Sequence, residues 1–466
     1  MGFGGLYISI SGLQASRMSL DTISHNISNA NNPNYVRQSA MHTNNSYTKS
    51  ADGRLETGTG VNVQQVRQIR DEFLDMKVRR EVSTFGYHYA KSQILEDVEG
   101  VFNEISKDEN GLQKIMNDFW ENWNELSKEA DSLPIRGLVH ESSVAFTDTV
   151  NHISRQLSDI RQNLNKEILA KVDEVNSILN GIGELNKSIK LVEGENSRIK
   201  ANDFRDERNA LLDRLSELIP IKSYENNFGE IVVSLQGRDL INGNYISTID
   251  VKNDGSGLGH IYWKNSNEKI EIDGQGELAG LIDVRDTSMV EYMNRLDTLV
   301  NTFAEKINDL HKTGVDLEGN SGEDFFVGSN GVITAANIKV NQDLANFNKI
   351  AVSKTGAKGD GEIAKEICKI RDDNSLYGDK KIEGYYRDII LQLGIERQAS
   401  ESIVNNQGFL IKDIDDKRKS ISAVSLDEEM ADMIKFQHSY SANSRVINAI
   451  DEMIETVVNR VGLVGR

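Results

Sequence analysis

Both ends of the chain carry an apolar stripe with a seven-residue repeat. The amino-terminal stripe lies in a helix predicted over about residues 6–29, and its members are Leu6, Ile10, Leu13, Leu20, Ile23 and Ile27. The carboxyl-terminal stripe consists of two series three residues apart, namely Met433, Phe436, Tyr440, Asn443, Ile447, Ile450, Ile454, Val457 and Val461. Because strict sevens over several turns are typical of supercoiled helix pairs, the two ends are predicted to pair as a coiled-coil stem. Asn443, its polar member, is the kind of residue that fixes the register of such pairs.

Between the ends, apolar residues recur at helical spacing over most of the chain. The spacing predicts helices over residues 71–106, 112–126, 134–218, 278–310, 362–371 and 382–417. An unbroken helix over the third range would exceed about 100 Å at ~1.5 Å per residue, so a break is predicted near Gly194. Asp360 is predicted to cap the short helix, and Ser425 with Glu428 forms a capping-box pattern at the start of the last helix.

Two regions have strand-like patterns instead. After Pro220, short β runs alternate with turn clusters, which predicts a small β domain inserted at residues 221–275. A second, smaller β excursion is predicted around Ile338, Val340, Ile350 and Val352. The fold class is therefore predicted to be mainly α with a small β insert, elongated and multidomain. The predicted domains are a stem of residues 1–36 plus 425–466, a helical bundle of 37–220 plus 276–424 that includes extended segments, and the β domain of 221–275.

Composition excludes several classes of partner. Lys and Arg total 53 against 72 Asp and Glu, a net charge of −19, so binding to nucleic acid or to an anionic membrane surface is not expected. No run of 18 apolar residues occurs, so no membrane insertion is predicted. The first 36 residues contain only Arg17 and Asp21 as charges, and this pattern predicts no cleaved secretory signal. The single Cys368 is interpreted as a small buried apolar residue.

Candidate chemistry is sparse. The eight histidines show no metal-ligand spacing, and His140-Glu141 lacks the second histidine of a zinc-protease motif. The acidic loop beginning at Asp316 superficially resembles a calcium loop, but its glycine is one place late, and a structural turn is favoured. Asp254, Ser256 and His260 are the residues of a weak alternative, in which the β insert carries a hydrolase site. No catalysis, cofactor or metal is expected.

The terminal stripes admit an ordinary interpretation, because a seven-residue repeat is most often bundle core. Here the nearly chargeless first helix and the complete apolar faces of the bundle between the stripes favour contacts in an assembly. A cytoplasmic coiled-coil adaptor is a further alternative, although adaptors seldom pair a chargeless first helix with a matching last one.

Sequence motifs at both ends resemble a known family. Residues 11–15 (SGLQA), 25–37 (HNISNANNPNYVR), 424–430 (VSLDEEM) and 436–447 (FQHSYSANSRVI) are similar to the terminal signatures of bacterial flagellar rod, hook and hook-associated proteins. Residues 202–209, 276–286 and 308–319 are similar to the hook-associated protein 1 family in particular. Departures are Asn32 and Asn34, where the family usually has Thr and Gly, and Phe204-Arg205, where it has Leu-Leu.

The resemblance implies a structural subunit of the flagellum that joins hook to filament through its terminal helices. The implied partners are copies of itself, the hook protein, the second hook–filament junction protein and an export chaperone at the C-terminal helix. The implied location is extracellular, after export through the flagellar type III apparatus without cleavage. Another axial protein, such as a hook or filament-type subunit, is the alternative. Both stem helices are predicted to be disordered before assembly, because an isolated helix pair is marginally stable.

Overall fold

The protein is mainly helical. The computed structural model describes residues 4–49, 56–104, 111–194, 200–272, 274–329 and 331–460. Its α-helices are Gly4–Ser28 (α1), Glu72–Glu104 (α2), Leu112–Lys128 (α3), Leu133–Gly194 (α4), Asn202–Leu218 (α5), Glu277–Asp283 (α6), Met289–Thr313 (α7), Glu362–Ile370 (α8), Ile382–Ser422 (α9) and Leu426–Arg460 (α10). A π-helical turn, Val284–Ser288, joins α6 to α7, and 3-10 turns lie at Gln342–Ala345 and Phe347–Lys349.

The strands are short and antiparallel. They are Gln38–Asn44 (β1), Tyr47–Lys49 (β2), Glu56–Gly58 (β3), Val61–Gln68 (β4), Ile221–Glu225 (β5), Ile231–Leu235 (β6), Arg238–Asn242 (β7), Tyr245–Ile246 (β8), Ile249–Asn253 (β9), Gly259–Trp263 (β10), Phe326–Val327 (β11) and Lys339–Val340 (β12). Strands β5 to β8 form a four-stranded sheet in sequence order, and the other pairs are β1 with β4, β2 with β3, β9 with β10 and β11 with β12.

Helix α4 organises the molecule. Its 62 residues span about 93 Å at ~1.5 Å per residue. As predicted, the helical stretch is interrupted, since Lys200 and Ala201 are not helical and α5 begins at Asn202. Glu193 holds this connection, because its carboxylate accepts hydrogen bonds from Lys200 Nζ, the Ala201 N–H and Arg205 Nε at 2.9, 3.0 and 2.7 Å. Although burial opposes the effect, these donors lower the pKa of Glu193 to about 2.

Three asparagines on α4 attach the β segments to the helix. Asn186 both donates to and accepts from the backbone of Ile231, at 2.9 and 3.0 Å. Asn176 does the same with Ile249, at 2.8 and 2.9 Å. Asn165 accepts from the Gly259 N–H at 2.8 Å. Their spacings of ten and eleven residues are close to three helical turns, so the three amides lie along one face and satisfy strand backbone groups.

The apolar core runs through the bundle and into the β segments without interruption. Its most aromatic part joins α3, α4 and α7 around Phe119, with Phe303 at 5.2 Å and Trp123 at 6.1 Å between ring centroids. Val233, Leu235 and other strand residues belong to the same buried cluster as the α4 residues. The division into three domains therefore stays a prediction, since the strands at 221–263 share one core with α4.

The second β excursion is smaller than predicted. Val340 lies in β12, which pairs with β11, but Ile350 and Val352 are buried outside any strand. Side chains satisfy this backbone in place of a neighbouring strand. Arg136 Nη1 donates to the Ile350 carbonyl at 2.6 Å, and the Ala351 N–H donates to His311 Nε2 at 2.9 Å. The alternation of apolar residues here reflects burial and not strand pairing.

The predicted helix starts are only partly as expected. The Asp360 carboxylate accepts from the Glu362 N–H at 3.1 Å, although Gly361 occupies the N-cap position of α8. At α10, Ser425 Oγ is 3.5 Å from the Glu428 nitrogen, at the limit of a hydrogen bond. The Glu428 carboxylate pairs instead with Arg37 Nη1 at 2.7 Å.

Candidate assembly surface

Helices α1 and α10 lie side by side and form the stem. Small residues on α1 allow the close approach. Ser16 Oγ is 3.1 Å from Ser439 Oγ, and a Cβ atom on Gly12 would lie 2.8 Å from Asn443 Nδ2. Asn443, the polar member of the predicted stripe, therefore packs against a glycine, which has no side chain and so leaves room for the amide.

The predicted stripe residues differ in exposure. On α1, Ile23 is buried, Leu6, Leu13, Leu20 and Ile27 are half-buried, and Ile10 is exposed. On α10, Ile450 is buried and the half-buried members are Met433, Phe436, Asn443, Ile447 and Ile454. Tyr440 and Val457 are 38% and 62% exposed, and Val461 lies outside the described residues. One partner helix thus covers only part of each stripe.

The most buried face of α1 is small and polar, which the apolar pattern does not indicate. Six of the seven buried residues of α1 are small or polar, namely Ser9, Ala15, Ser16, Ser19, Thr22 and Asn26, and of these Ser19 and Asn26 contact β1. Ser19 Oγ contacts His42 Nε2 at 2.9 Å, and the Val61 N–H donates to Ser11 Oγ at 3.2 Å. Helix α1 is therefore enclosed on two sides, by α10 and by the β1–β4 ladder.

Large apolar side chains on the stem remain uncovered in a single copy. On α1, Tyr7 is 68% exposed and Met18 46%. On α10 the exposed apolar residues are Leu426, Met430, Ile434, Tyr440, Val446, Met453, Val457 and Val458. Contiguous exposed apolar surface of this kind marks an interaction site in soluble proteins.

A buried polar cluster fixes the base of the stem. Asn26, 1% exposed, uses all its hydrogen-bonding capacity. Its Nδ2 donates to the Gln38 carbonyl (2.9 Å) and to Glu429 Oε2 (3.0 Å), while its Oδ1 accepts from Tyr35 Oη (2.8 Å) and the Gln38 N–H (3.0 Å). One side chain therefore connects α1, the following turn, β1 and α10.

Arg37 completes the connection to α10. Its Nε donates to Glu429 Oε1 at 2.6 Å and its Nη1 to Glu428 Oε2 at 2.7 Å, while its backbone N–H donates to the Ser422 carbonyl at 2.9 Å. Glu429 is 2% exposed, so this pair is largely desolvated. A buried pair in which one partner is removed leaves an uncompensated charge, which makes the cluster sensitive to substitution.

The start of α5 joins the same cluster. The Asp206 carboxylate accepts from the Val36 N–H at 3.2 Å and from Gln68 Nε2, and Asn202 Nδ2 donates to Gln38 Oε1 at 3.0 Å. Burial, with a smaller contribution from the nearby Asp203 charge, raises the pKa of Asp206 to about 7 despite these donors. The motifs at 25–37, 202–209 and 424–430, which are far apart in sequence, thus meet in one place.

A second set of signature residues shapes the bundle. Gly276 has φ of +86°, and a Cβ atom there would lie 2.6 Å from the Leu218 carbonyl oxygen. A Cβ atom on Gly280 would lie 2.5 Å from the Tyr87 carbonyl oxygen. Arg285, fully buried in the π-helical turn, donates through Nη1 to Asn165 Oδ1 at 2.7 Å and to the Gly259 carbonyl at 2.8 Å. The two glycines allow the close packing of α6 against α5 and α2, and Arg285 joins the π-helical turn to α4 and β10.

The structure does not support the alternative in which the β insert carries a hydrolase site. Asp254, Ser256 and His260 are close together, but Ser256 Oγ donates to Asp254 Oδ1 at 2.6 Å and His260 Nε2 contacts Asp254 Oδ2 at 3.2 Å. Asp254 also accepts from the Ser256 and Leu258 N–H groups, so it caps the β9–β10 turn. A hydrolytic triad needs the serine hydrogen-bonded to the histidine, and here the carboxylate lies between them.

Other predicted sites are structural. Asp316 Oδ1 accepts from the Glu318 and Asn320 N–H groups at 2.8 Å each, which is the geometry of a turn. Burial raises the pKa of the Cys368 thiol to about 11, in keeping with a half-buried packing residue. Across the described ranges, no three His, Cys, Asp or Glu side chains are placed to hold a metal ion. No helix in the described part of the chain combines the length and apolar character needed to cross a membrane.

Comparison with known proteins identifies the family. The chain is 31% identical to flagellar hook-associated protein 1 of Bacillus subtilis (strain 168), over 100% of this chain and 99% of that protein. The chain belongs to the flagellar hook-associated protein 1 family. It is also 22% identical to the Escherichia coli (strain K12) member over 97% of this chain and 98% of that protein.

Domain and structural matches agree with membership of the hook-associated protein 1 family. Residues 95–326 match the flagellar hook-associated protein FlgK helical domain. Residues 6–35 match the flagella basal body rod protein model, and residues 420–460 match the flagellar basal body rod FlgEFG protein C-terminal model. The structure is similar to the flagellar hook junction protein FlgK from Burkholderia pseudomallei, with a TM-score of 0.66 and 13% identity over 74% of this chain and all of that one. The predicted fold class and family are confirmed.

The residues of the buried polar cluster were missed as functional candidates. Asn26, Arg37 and Glu429 stand in the quoted signatures, but an apolar periodicity selects only apolar positions. The sequence did show that polar residues of the motifs stand near predicted helix ends. It did not show that the motifs at 25–37, 202–209 and 424–430 meet in the folded chain.

Proposed function

We propose that this chain is a structural subunit of the bacterial flagellum that joins the hook to the filament. The observation that carries the proposal is similarity to a hook-associated protein 1 over the full length of both chains. The terminal matches to rod proteins alone would fit any axial protein. The match of residues 95–326 to the helical domain of a hook-associated protein favours the junction over a hook or filament-type subunit.

Self-assembly is proposed to occur through the terminal helices. A single copy leaves Tyr7, Met18, Met430 and Met453 at 45–68% exposure. Burying apolar surface stabilises an assembly by about 25 cal/mol per Å², so the copies have a physical reason to pack stem against stem. The fifteen stripe residues from Leu6 to Val461 remain the proposed contact set.

Further partners are proposed from the family resemblance. They are the hook protein on one side, the second hook–filament junction protein on the other, and an export chaperone that binds the C-terminal helix before secretion. The proposed location is the extracellular flagellum, reached without cleavage of a signal peptide. The role is structural and involves no catalysis.

Electron microscopy of a strain lacking the gene tests the proposal. The expected result is cells with hooks and no attached filaments, with filaments restored by the full chain. A chain bearing Asp254→Asn and His260→Gln should restore filaments equally, since the proposed role uses neither side chain. Filaments of normal length and number in the deletion strain would contradict the proposal.

A further inference from the structure

The stem carries most of the exposed methionines. Met18 on α1 and Met430 and Met453 on α10 are 46%, 58% and 45% exposed, and Met433 on α10 is half-buried. Among the described residues, Met76 on α2 is the one methionine outside the stem with comparable exposure, at 52%. Thioether sulfurs are therefore presented to solvent mainly by the two helices that are proposed to carry self-assembly.

The other described methionines are better covered. Met116 and Met289, at 1% and 0% exposure, belong to the apolar core, and Met41 and Met293 are half-buried. A closely packed core leaves no room for a solute to reach the sulfur atoms inside it. Exposure thus separates the stem methionines from those of the core.

Met430 lies in the middle of an exposed apolar row on α10. Leu426, four residues before it, is 50% exposed, and Ile434, four residues after it, is 54% exposed. Residues four apart are neighbours on one face of a helix, so the three side chains form one row. Neither neighbour has a side-chain hydrogen-bond donor.

Met453 and Met18 have similar surroundings. Val446, seven residues before Met453, is 46% exposed, and Val457, four residues after it, is 62% exposed. Met18 lies about three helical turns from Tyr7, which is 68% exposed on the same helix. The exposed stem methionines are therefore part of the apolar surface that self-assembly is proposed to bury.

Hydrogen peroxide oxidises a thioether that it can reach. A lone pair of the sulfur attacks one peroxide oxygen, the O–O bond breaks and an S–O bond forms. The hydroxide that leaves takes the proton from the new S–OH group as water. The sulfur loses two electrons and the peroxide gains them, so one peroxide gives one methionine sulfoxide and one water.

The sulfoxide changes what the stem surface can bury. It replaces a flexible apolar group with a polar one whose oxygen accepts hydrogen bonds. Leu426 and Ile434 cannot donate to a sulfoxide on Met430, so burying it in an apolar contact removes water without supplying a donor. Burial of an unpaired polar group is unfavourable, and assembly is weakened.

We propose that Met18, Met430, Met433 and Met453 form a peroxide-sensitive modification site that controls assembly of the stem. Oxidation of the free subunit prevents the stem surface from packing, whereas assembly covers the four sulfur atoms and protects them. Met433 is included because the predicted disorder of the stem before assembly would expose it. The inference rests on the proposed self-assembly through the terminal helices.

Oxidation rates in the full-length chain test the accessibility of the site. Peptide mass spectrometry after peroxide treatment should show the four stem methionines oxidised at least about tenfold faster than Met116 and Met289. In intact flagella isolated from cells, the same four should be oxidised at least about tenfold more slowly than in the free chain. Equal rates for stem and core methionines, or equal rates in flagella and free chain, would overturn the inference.

Self-association tests the effect of oxidation. Measured by analytical ultracentrifugation, peroxide should raise the dissociation constant of the original chain at least about tenfold. A variant with leucine at all four positions keeps their volume and apolar character, and peroxide should change its dissociation constant by less than about twofold. The matched control Met76→Leu should stay as sensitive to peroxide as the original chain. A four-leucine variant that remains sensitive would overturn the inference, as would resistance conferred by Met76→Leu alone.

Reversal provides a test on the original chain that does not depend on a variant. Methionine sulfoxide reductases for both sulfoxide epimers, with dithiothreitol as the electron donor, convert each sulfoxide and two thiols to methionine, a disulfide and water. This treatment should return the dissociation constant to within about threefold of its value before peroxide. A loss that persists after mass spectrometry shows the sulfoxides reduced would contradict the inference.

The failures of the two proposals are distinguishable. If the untreated chain does not self-associate, the proposed self-assembly is wrong and the inference fails with it. If the untreated chain self-associates and oxidation of the four methionines leaves its dissociation constant unchanged, only the inference is wrong.

Discussion

Acidification should weaken the bundle through one buried histidine. His311 is fully buried, and its two ring nitrogens contact the Glu323 carbonyl at 2.6 Å and the Ala351 N–H at 2.9 Å. An N–H can donate only to an unprotonated nitrogen, so the bonded form is neutral with its proton on Nδ1. Burial, opposed by weaker favourable contacts, lowers the pKa of His311 to about 4.

The direction in which pH changes the free energy of unfolding follows from proton uptake by the unfolded chain. Below about pH 6.5 the unfolded chain binds a proton on this imidazole, while the folded chain remains neutral until about pH 4. The free energy of unfolding therefore falls as pH falls through this window. At ~1.4 kcal/mol per unit, the loss from this residue is about 2 kcal/mol by pH 5 and about 3 kcal/mol by pH 4.

His311→Gln isolates this contribution from that of other titrating groups. The glutamine amide can donate to the same carbonyl and accept from the same N–H but does not titrate. Urea unfolding is followed by tryptophan fluorescence, since Trp123 lies 5.4 Å from Phe325, which packs on His311. The original chain should lose about 2 kcal/mol more than the variant between pH 7 and pH 5. Parallel losses in the two chains would refute the reasoning.

Three further substitutions test other parts of the structure. Asn186→Ala, which strands the Ile231 backbone groups, should lower the free energy of unfolding by about 2–3 kcal/mol in urea titrations, while exposed Asn180→Ala should change it by less than about 0.5. Gly280→Ala, whose new methyl would clash with an α2 carbonyl, should lower the melting temperature by several degrees, and Gly394→Ala, which meets open space, should not. Asp206→Asn should remove a contribution to the free energy of unfolding that falls as pH rises from about 4 to 7 and so opposes that of His311, because the folded carboxyl keeps its proton up to about pH 7. A difference in stability between variant and original chain that stays constant across that range in denaturant titrations would contradict the assignment.

The sequence allowed the helices to be predicted well because their apolar residues keep a period of 3.6 over many turns. The interruption after Gly194 followed from length alone. The strands at 221–263 were also anticipated, but their attachment to α4 was not, because asparagines such as Asn176 look like ordinary solvated positions in a helical pattern. Ile350 and Val352 were assigned to a strand because burial alone can produce the same alternation.

The candidate site shows the same limit. Apolar repeats located the stem helices, but they gave no sign of Gly12, against which Asn443 packs, because a seven-residue apolar repeat does not say where a small residue opens the helix surface. Asn26 and Glu429, which tie the stem to the bundle, are 403 residues apart. Contacts at that separation depend on the whole topology, and no local pattern contains them.

The row of amides along α4 has a consequence for how the β region can change. Strand segments are anchored at Ile231, Ile249 and Gly259, and the chain between these anchors includes exposed turns at residues 244–245 and 252–257. Residues inserted between two of these anchored positions would lengthen the exposed turns without moving the hydrogen bonds that attach the strands to α4. Helix α4 can therefore keep its length and its points of attachment while the exposed turns between the strands vary in length.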